Sequence, residues 1–299
     1  MAACETLDPQ ADDLRLVRHA RSRHLGPSLG PVELSAVTPA LLNAYYGWLL
    51  SDGRRDGEGG LSPTTVRLVH ATIHKALEDA VRWGHLARNP ASKADPPKAK
   101  SSGLSIWSAV QLRKFIEATK DDALHAAWLL AATTGMRRGE LLGLRWRDVD
   151  FAAGALHVRR IRTVARSQVV ELTPKTERGA RTVALDEATL AVLSAHREVH
   201  GGADDDLAFT QADGSPIHPE RFSRWFARRC REAGLPPIRL HDVRHSYVTA
   251  LIAAGVPLKV VSQRVGHASP VITMTLYQHV LPDDDRAAAI AGAQVILGG

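Results

Sequence analysis

Apolar residues recur three and four apart through most of this chain, the spacing of helices that bury one face. In TPALLNAYYGWLLSDG, Leu41, Leu42, Tyr45, Trp48 and Leu49 share a side, with Thr38 suited to the N-cap, Pro39 to the first helical position and Gly53 to the stop. SPTTVRLVHATIHKALEDAVRWG repeats the grammar with Ser62, Pro63 and Gly84, and directs Val66, Val69, Ile73, Leu77, Ala80 and Trp83 inward. Its other face carries Arg67, His70, His74, Lys75 and Arg82. Trp48 and Trp83 keep step with aliphatic residues, so both are assigned to the core rather than to base stacking.

From Asn89 to Gly103 the run NPASKADPPKAKSSG has no large apolar residue and reads as an exposed linker. WSAVQLRKFIEA then opens a second domain, with Ser108 and Gln111 as a capping box and Trp107 placed to staple onto Leu112. After more helix come three strand candidates, ALHVRRI, VVEL and ARTVAL, the last two separated by the turn-like TPKTERG, and helix returns to the end. The expected fold is mainly α with a small, three-stranded antiparallel β-sheet. A chain of 299 residues favours two domains. They are placed at 1–95 and 105–299, joined by a linker at 96–104.

Composition narrows the function. A net charge of +6 and a pI near 9.6 tilt toward a polyanionic partner. Cys4 and Cys230 are too few for a disulfide framework or a paired thiolate metal site, which fits a reducing cytoplasm. The start, MAACETLDPQADD, is acidic and lacks the charged and apolar blocks of a secretory signal. The most apolar stretch, Ala123 to Thr134, falls well short of the ~20 residues that span a bilayer, so a cytoplasmic protein with no membrane segment is expected. No G-x-x-x-x-G-K-[ST] loop is present, and nothing suggests ATP binding.

Four segments each set a cation, a proton carrier or a nucleophile beside a structural stop. In TTGMRRGELLGLRW a helix ends at Gly135 and Arg137 heads the next short one. In TPKTERGART, Lys175 occupies the tip of an expected hairpin, where a long ammonium can be delivered into a neighbouring site. In RLHDVRHSYVTALIAAG, His241 and Arg244 lie three apart near a helix start, on one face. In QRVGHASPVITMTLYQHV, His267 precedes a helix capped by Ser269 and started by Pro270, and Tyr277 follows on that helix.

These residue types suit in-line attack on a phosphodiester. Arg137 and Arg244 can grip the non-bridging oxygens and offset the charge that builds there without a metal. Tyr277 as nucleophile would hold the energy of the broken bond in a covalent ester, so rejoining needs no ATP. Lys175, its pKa lowered by surrounding cations, can protonate the departing 5′ hydroxyl. His241 and His267 can accept the tyrosine proton or hydrogen-bond a phosphate oxygen.

TGMRRGE, the Lys of TPKT, HDVRH, VGH and a Tyr ten residues after that His resemble the catalytic signature of the tyrosine recombinases, in the phage integrase branch. Arg137, Lys175, His241, Arg244, His267 and Tyr277 each fall on a position of that signature, and Glu140 matches the acidic residue after the first Arg. The N-terminal helices are similar to the family's core-binding domain. The resemblance implies a two-domain architecture, a helical core-binding domain plus an α/β catalytic domain, that clamps double-stranded DNA at a specific recombination site. It implies strand cleavage through a 3′-phosphotyrosyl intermediate for DNA integration or excision, with no cofactor and no metal. It further implies a homotetramer on two synapsed sites, formed from protomers that are monomeric or weakly associated off DNA. Many members carry a small arm-binding domain first; only a short acidic segment precedes Leu14, and that module is not expected here. The tail DDDRAAAIAGAQVILGG is expected to dock onto a neighbouring protomer.

Other readings of single features were weighed. A catalytically silent DNA-binding protein would keep the same fold, and a nicking topoisomerase or telomere resolvase would share the chemistry. His241 and His245, at i and i+4, match the spacing of a zinc pair, but the acid between them is the short Asp242 and Arg244 would be repelled by a metal. His245 is therefore expected to pack or bond internally. The runs Asp204 to Asp206 and Asp283 to Asp285 are expected to be solvated loops rather than a two-metal nuclease site.

Overall fold

The computed structural model describes residues 25–54, 56–98, 105–165, 168–173 and 179–267, together with Val271, Met274, Ile290, Ala293 and Gln294. The chain divides into two compact units, 1–103 and 104–299.

In the first unit, α1 (Pro39–Asp52) and α2 (Pro63–Arg82) each begin at a proline whose missing N–H costs nothing there. The Thr38 hydroxyl accepts from the Leu41 N–H, and the Ser62 hydroxyl from the Thr65 N–H, both at 3.2 Å. Leu42, Tyr45, Tyr46 and Leu49 of α1 share a core with Val66, Val69, Ile73 and Leu77 of α2.

Both tryptophans depart from the sequence expectation. Trp48 is 45% exposed because it stands beside the 42–45–46–49 stripe rather than on it, and its ring stacks on Tyr45 at 5.9 Å. Trp83 is 65% exposed because it follows the last residue of α2, where the apolar stripe no longer meets a partner. The start of the expected linker also proves structured. Asn89 donates to the His74 carbonyl and to Glu78, Pro90–Lys93 forms a 3-10 turn with Ala91 buried, and Asp95 exchanges hydrogen bonds with Asn43. Short polar side chains anchored this segment without any large apolar residue.

The second unit is built around Trp107, Phe115, Trp128, Phe222 and Phe226. Its helices are α3 (Ala109–Ala118), α4 (His125–Thr134), α5 (Arg138–Leu142), α6 (Glu187–His200), α7 (Pro219–Glu232), α8 (Leu240–Ala253) and α9 (Leu258–Val265). The Ser108 and Gln111 capping box forms, and Trp107 lies in the same cluster as Leu112 with its ring against Phe115 and Phe226. Trp128 of α4 stacks on Phe222 of α7 at 4.4 Å. Helix α8 runs through this body: Leu240 and Val243 join the main core, while Tyr247, Val248 and Ile252 form a second cluster with Val261 and Val265 of α9.

The three strand candidates do not make one sheet. ALHVRRI splits into β2 (Ala155–Val158) and the start of β3 (Ile161–Ala165). Strand β2 lies between β1 (Val149–Asp150) and β5 (Arg181–Ala184), all antiparallel. VVEL belongs to β4 (Gln168–Leu172), which pairs only with β3, from Ile161 opposite Leu172 to Ala165 opposite Gln168. Among the described residues β4 and β5 therefore lie in different sheets, whereas one three-stranded sheet was expected. Lys175 itself lies outside the described residues.

Candidate active site

Arg137 owes its position to two glycines. Gly135 ends α4 in the left-handed region at φ 63°, and a Cβ there would come within 2.7 Å of the Tyr247 ring. Gly139 lets α5 lie directly on β3, since a Cβ would approach Ile161 at 2.6 Å and the Arg162 carbonyl at 2.8 Å. Between them Arg137 caps α5, its backbone N–H and Nη1 each donating to Glu140 at 2.8 Å.

Glu140 is fully buried and holds a second arginine. Arg181, at the head of β5 and only 6% exposed, donates through Nη1 at 3.0 Å and Nη2 at 2.9 Å. Burial pushes the Glu140 carboxyl pKa up, but hydrogen bonds and charge from Arg181 and Arg137 outweigh it and hold the pKa below the ordinary glutamate value.

The end of α9 collects three guanidiniums on three successive carbonyls. Arg181 Nε donates to the Arg264 carbonyl at 2.8 Å, Arg244 Nη2 to Val265 at 2.6 Å and Arg137 Nη2 to Gly266 at 2.9 Å. These are carbonyls that a helix leaves without partners of its own, and they sit at the negative end of its dipole. Arg244, 3% exposed on α8, also donates through Nη1 to the Gly135 carbonyl at 2.7 Å. Arg264 itself turns away, its Nε donating to the Tyr247 hydroxyl. One helix terminus thus fixes Arg137, Arg181 and Arg244, from three distant parts of the sequence.

His267 follows immediately, its N–H on the Ser262 carbonyl at 3.0 Å after Gly266 turns left-handed at φ 70°. His241 lies in the first turn of α8, lining the same cleft as Arg137 and edge-to-face with His245 at 4.9 Å. Both pKa values are pushed down to about 4, first by protein crowding that strips water from the rings. Next come His245 and Arg244 for His241, and Arg244 and Arg137 for His267. Both rings are neutral at pH 7, and the surrounding positive charge suits an anion.

Of the six sequence-derived residues, Arg137, Arg244, His241 and His267 come together here, while Lys175 and Tyr277 lie outside the described residues. So do Ser269 and Pro270, the run Asp283 to Asp285, and the C-terminal tail apart from three positions. His245 is buried. Asp242 spends its carboxylate on Arg239, accepting from its N–H at 2.9 Å, Nε at 3.0 Å and Nη2 at 2.8 Å. Asp204 pairs with Arg197, and Asp205 with Arg147, in an exposed loop. Sequence reasoning missed Arg181. Its signal was the alternation in RTVA, which puts Arg181 on the same side of the strand as buried Val183, a core-facing arginine that demands a buried partner.

The model of the phage integrase family matches residues 108–283, which include every candidate residue named above. The chain belongs to the phage integrase family. It is a tyrosine recombinase, a DNA strand-transferring enzyme. A tyrosine recombinase XerC-like protein of Caldanaerobacter subterraneus is 29% identical over 291 residues, covering 88% of this recombinase and 73% of the relative. The ICEBs1 integrase of Bacillus subtilis is 26% identical over 299 residues, covering 97% and 79%. In fold, the recombinase is similar to the Tn1549 transposon integrase solved with transposon right end DNA, with a TM-score of 0.80, 20% identity, and coverage of 97% and 95%. Among the described residues, no helix is long and apolar enough to cross a membrane.

Proposed function

We propose that Tyr277 attacks the scissile phosphorus of a duplex recombination site. Its Oη forms the new bond, giving a 3′-phosphotyrosyl ester, while the bond to the 5′ oxygen breaks. Arg137 and Arg244 bind the non-bridging oxygens, where charge builds, and so stabilise the transition state more than the ground state. The phenolic proton passes to a neutral imidazole of His241 or His267, and the other ring hydrogen-bonds the phosphate. Lys175 protonates the leaving 5′ oxygen. A 5′ hydroxyl from a second strand then reverses the step and rejoins DNA, returning the proton to Tyr277.

The observation that carries this reading is the gathering of Arg137, Arg244 and His267 at the end of α9, with His241 one turn before Arg244 on α8. Lys175 enters by its place on the segment leading to Arg181, and Tyr277 by its place ten residues after His267. Family membership supports a core-binding role for residues 1–95, a catalytic role for 105–299, cytoplasmic action and a homotetramer on two synapsed sites; off DNA the protomers are taken to be monomeric or weakly associated. The test is strand exchange between two duplexes carrying the attachment core taken from the DNA flanking the gene, in EDTA and without nucleotide. Recombinant product is expected. Binding without exchange would instead support a silent DNA-binding protein, and relaxation of plasmids lacking the site a topoisomerase.

A further inference from the structure

Beside Arg137 opens a cleft of about 620 Å³ walled by α5, β3, α7 and the start of α8. Its charged walls are Arg137, Arg138, Arg162 and Arg239, with the neutral ring of His241 beside them, and among the described residues no carboxylate lines it. Two of the nearby acids, Asp242 and Glu171, are already engaged by other arginines. Asp242 is taken by Arg239, and Glu171, across the ladder from Arg162, bonds Arg145 at 3.1 Å and approaches Arg160 at 3.4 Å. Glu220 acts on Arg138 only through its charge. Arg138 is oriented by Nη1 donating to the Ser223 hydroxyl at 2.9 Å.

Arg162 is the unusual member. Its Nη1 is buried and has no hydrogen-bond partner. A buried donor left unmade destabilises a fold, and a guanidinium beside other guanidiniums does so further. Loss of hydration holds both Arg138 and Arg162 below the ordinary arginine pKa. Such a group is retained where a ligand satisfies it, and the ligand that fits a cationic, acid-free cleft is a phosphate.

We propose that this cleft seats a second backbone phosphate of the cleaved strand, adjacent to the scissile one, held by Arg138 and Arg162. The assignment builds on the recombinase reading, because Arg137 and His241 form the wall shared by the two seats. Arg138 and Arg162 would then set the register of the strand, so that the correct phosphorus lies opposite Arg137.

The experiment uses the full chain and attachment-core duplexes in which single phosphates near the cleavage point are replaced one at a time by neutral methylphosphonate. Binding is measured for wild type, Arg162→Leu and Arg138→Gln. One position next to the scissile phosphate should lower wild-type affinity about tenfold, the loss expected for one charge-assisted contact. At that same position Arg162→Leu should lose nothing further, and Arg138→Gln little. On unmodified duplex, Arg162→Leu should bind with a log–log salt slope about one unit shallower. Because Arg162→Leu removes a buried unpaired donor, its melting temperature should equal or exceed that of wild type, which separates a lost contact from a lost fold. Equal losses for all three proteins at every position would overturn the second seat. Because binding is read independently of chemistry, failure to form a covalent complex would count against the recombinase reading and leave the seat standing.

Discussion

Replacing Glu140 by glutamine tests the buried hub that fixes two arginines at once. The carboxylate is 0% exposed and accepts four hydrogen bonds, two from Arg137 and two from Arg181. Glutamine keeps one acceptor oxygen, turns an amide N–H₂ toward a guanidinium, and removes the only opposing charge these bonds supply. Arg137 is 37% exposed and recovers part of its loss from water. Arg181 is 6% exposed and keeps only the Arg264 and Gly179 carbonyls, so most of the cost falls there. Breaking a buried pair by removing one partner costs about 3–5 kcal/mol. For a unit of this size that corresponds to a fall in Tm of roughly 10 °C. Cleavage should fall further than DNA binding, because in the proposed mechanism Arg137 acts on charge that develops during reaction. Thermal melts of Glu140→Gln, Arg181→Met and the double variant form the assay. The double variant should be less destabilised than the sum of the singles, since removing both partners leaves neither charge stranded. Strict additivity, or a loss under about 1 kcal/mol for Glu140→Gln, would refute the hub.

Four more outcomes follow from the geometry. His241 and His267 have folded pKa values of about 4 against 6.5 unfolded, so the unfolded chain binds more protons between those values. DNA-free stability should be level above pH 6.5 and fall as the pH drops toward 4, and His267→Gln should flatten that slope in melts across this range. Glu140 acts in the opposite sense to a raised pKa: its contribution is present above about 4.5 and is lost as pH falls through its lowered folded value, a loss that Glu140→Gln should not show. Gly135→Ala, strained at φ 63° and meeting Tyr247 at 2.7 Å, should cost about 2–3 kcal/mol by denaturant melts, whereas Gly84→Ala, at φ 78° in open space, should cost only about 1 kcal/mol. Leu49→Ala should cost about 2–5 kcal/mol and the neighbouring Trp48→Ala less than about 1 kcal/mol, reversing their order of size.

Local signals carried the helices and the candidate site. Thr38–Pro39, Ser62–Pro63 and Ser108–Gln111 are self-contained caps, so their helix starts could be read directly. Arg137, His241, Arg244 and His267 stand beside glycines and caps that fix backbone direction locally, which is why four of the candidates could be found without a fold. What escaped the sequence depends on partners elsewhere. Whether β4 pairs with β3 or with β5 is a choice between ladders of similar local propensity, and it is settled by long-range packing. Trp48 and Trp83 have the right spacing, but spacing does not say how wide the buried stripe is or where the facing helix ends. Arg181 is silent until Glu140 is brought against it, because a charge in a strand becomes informative only when the face it occupies is known to be buried. Arg162, whose buried Nη1 has no hydrogen-bond partner, is the same case.

The central claim is tested most directly by covalent capture. A duplex bearing the attachment core, nicked so that the short fragment freed by cleavage diffuses away, is incubated with the full chain, and the linked complex is digested and mapped by mass spectrometry. Wild type should yield DNA joined through its 3′ phosphate to the peptide containing Tyr277. Tyr277→Phe should bind that duplex and yield no linked complex. Linkage to any other residue, or undiminished linkage in Tyr277→Phe, would contradict the account.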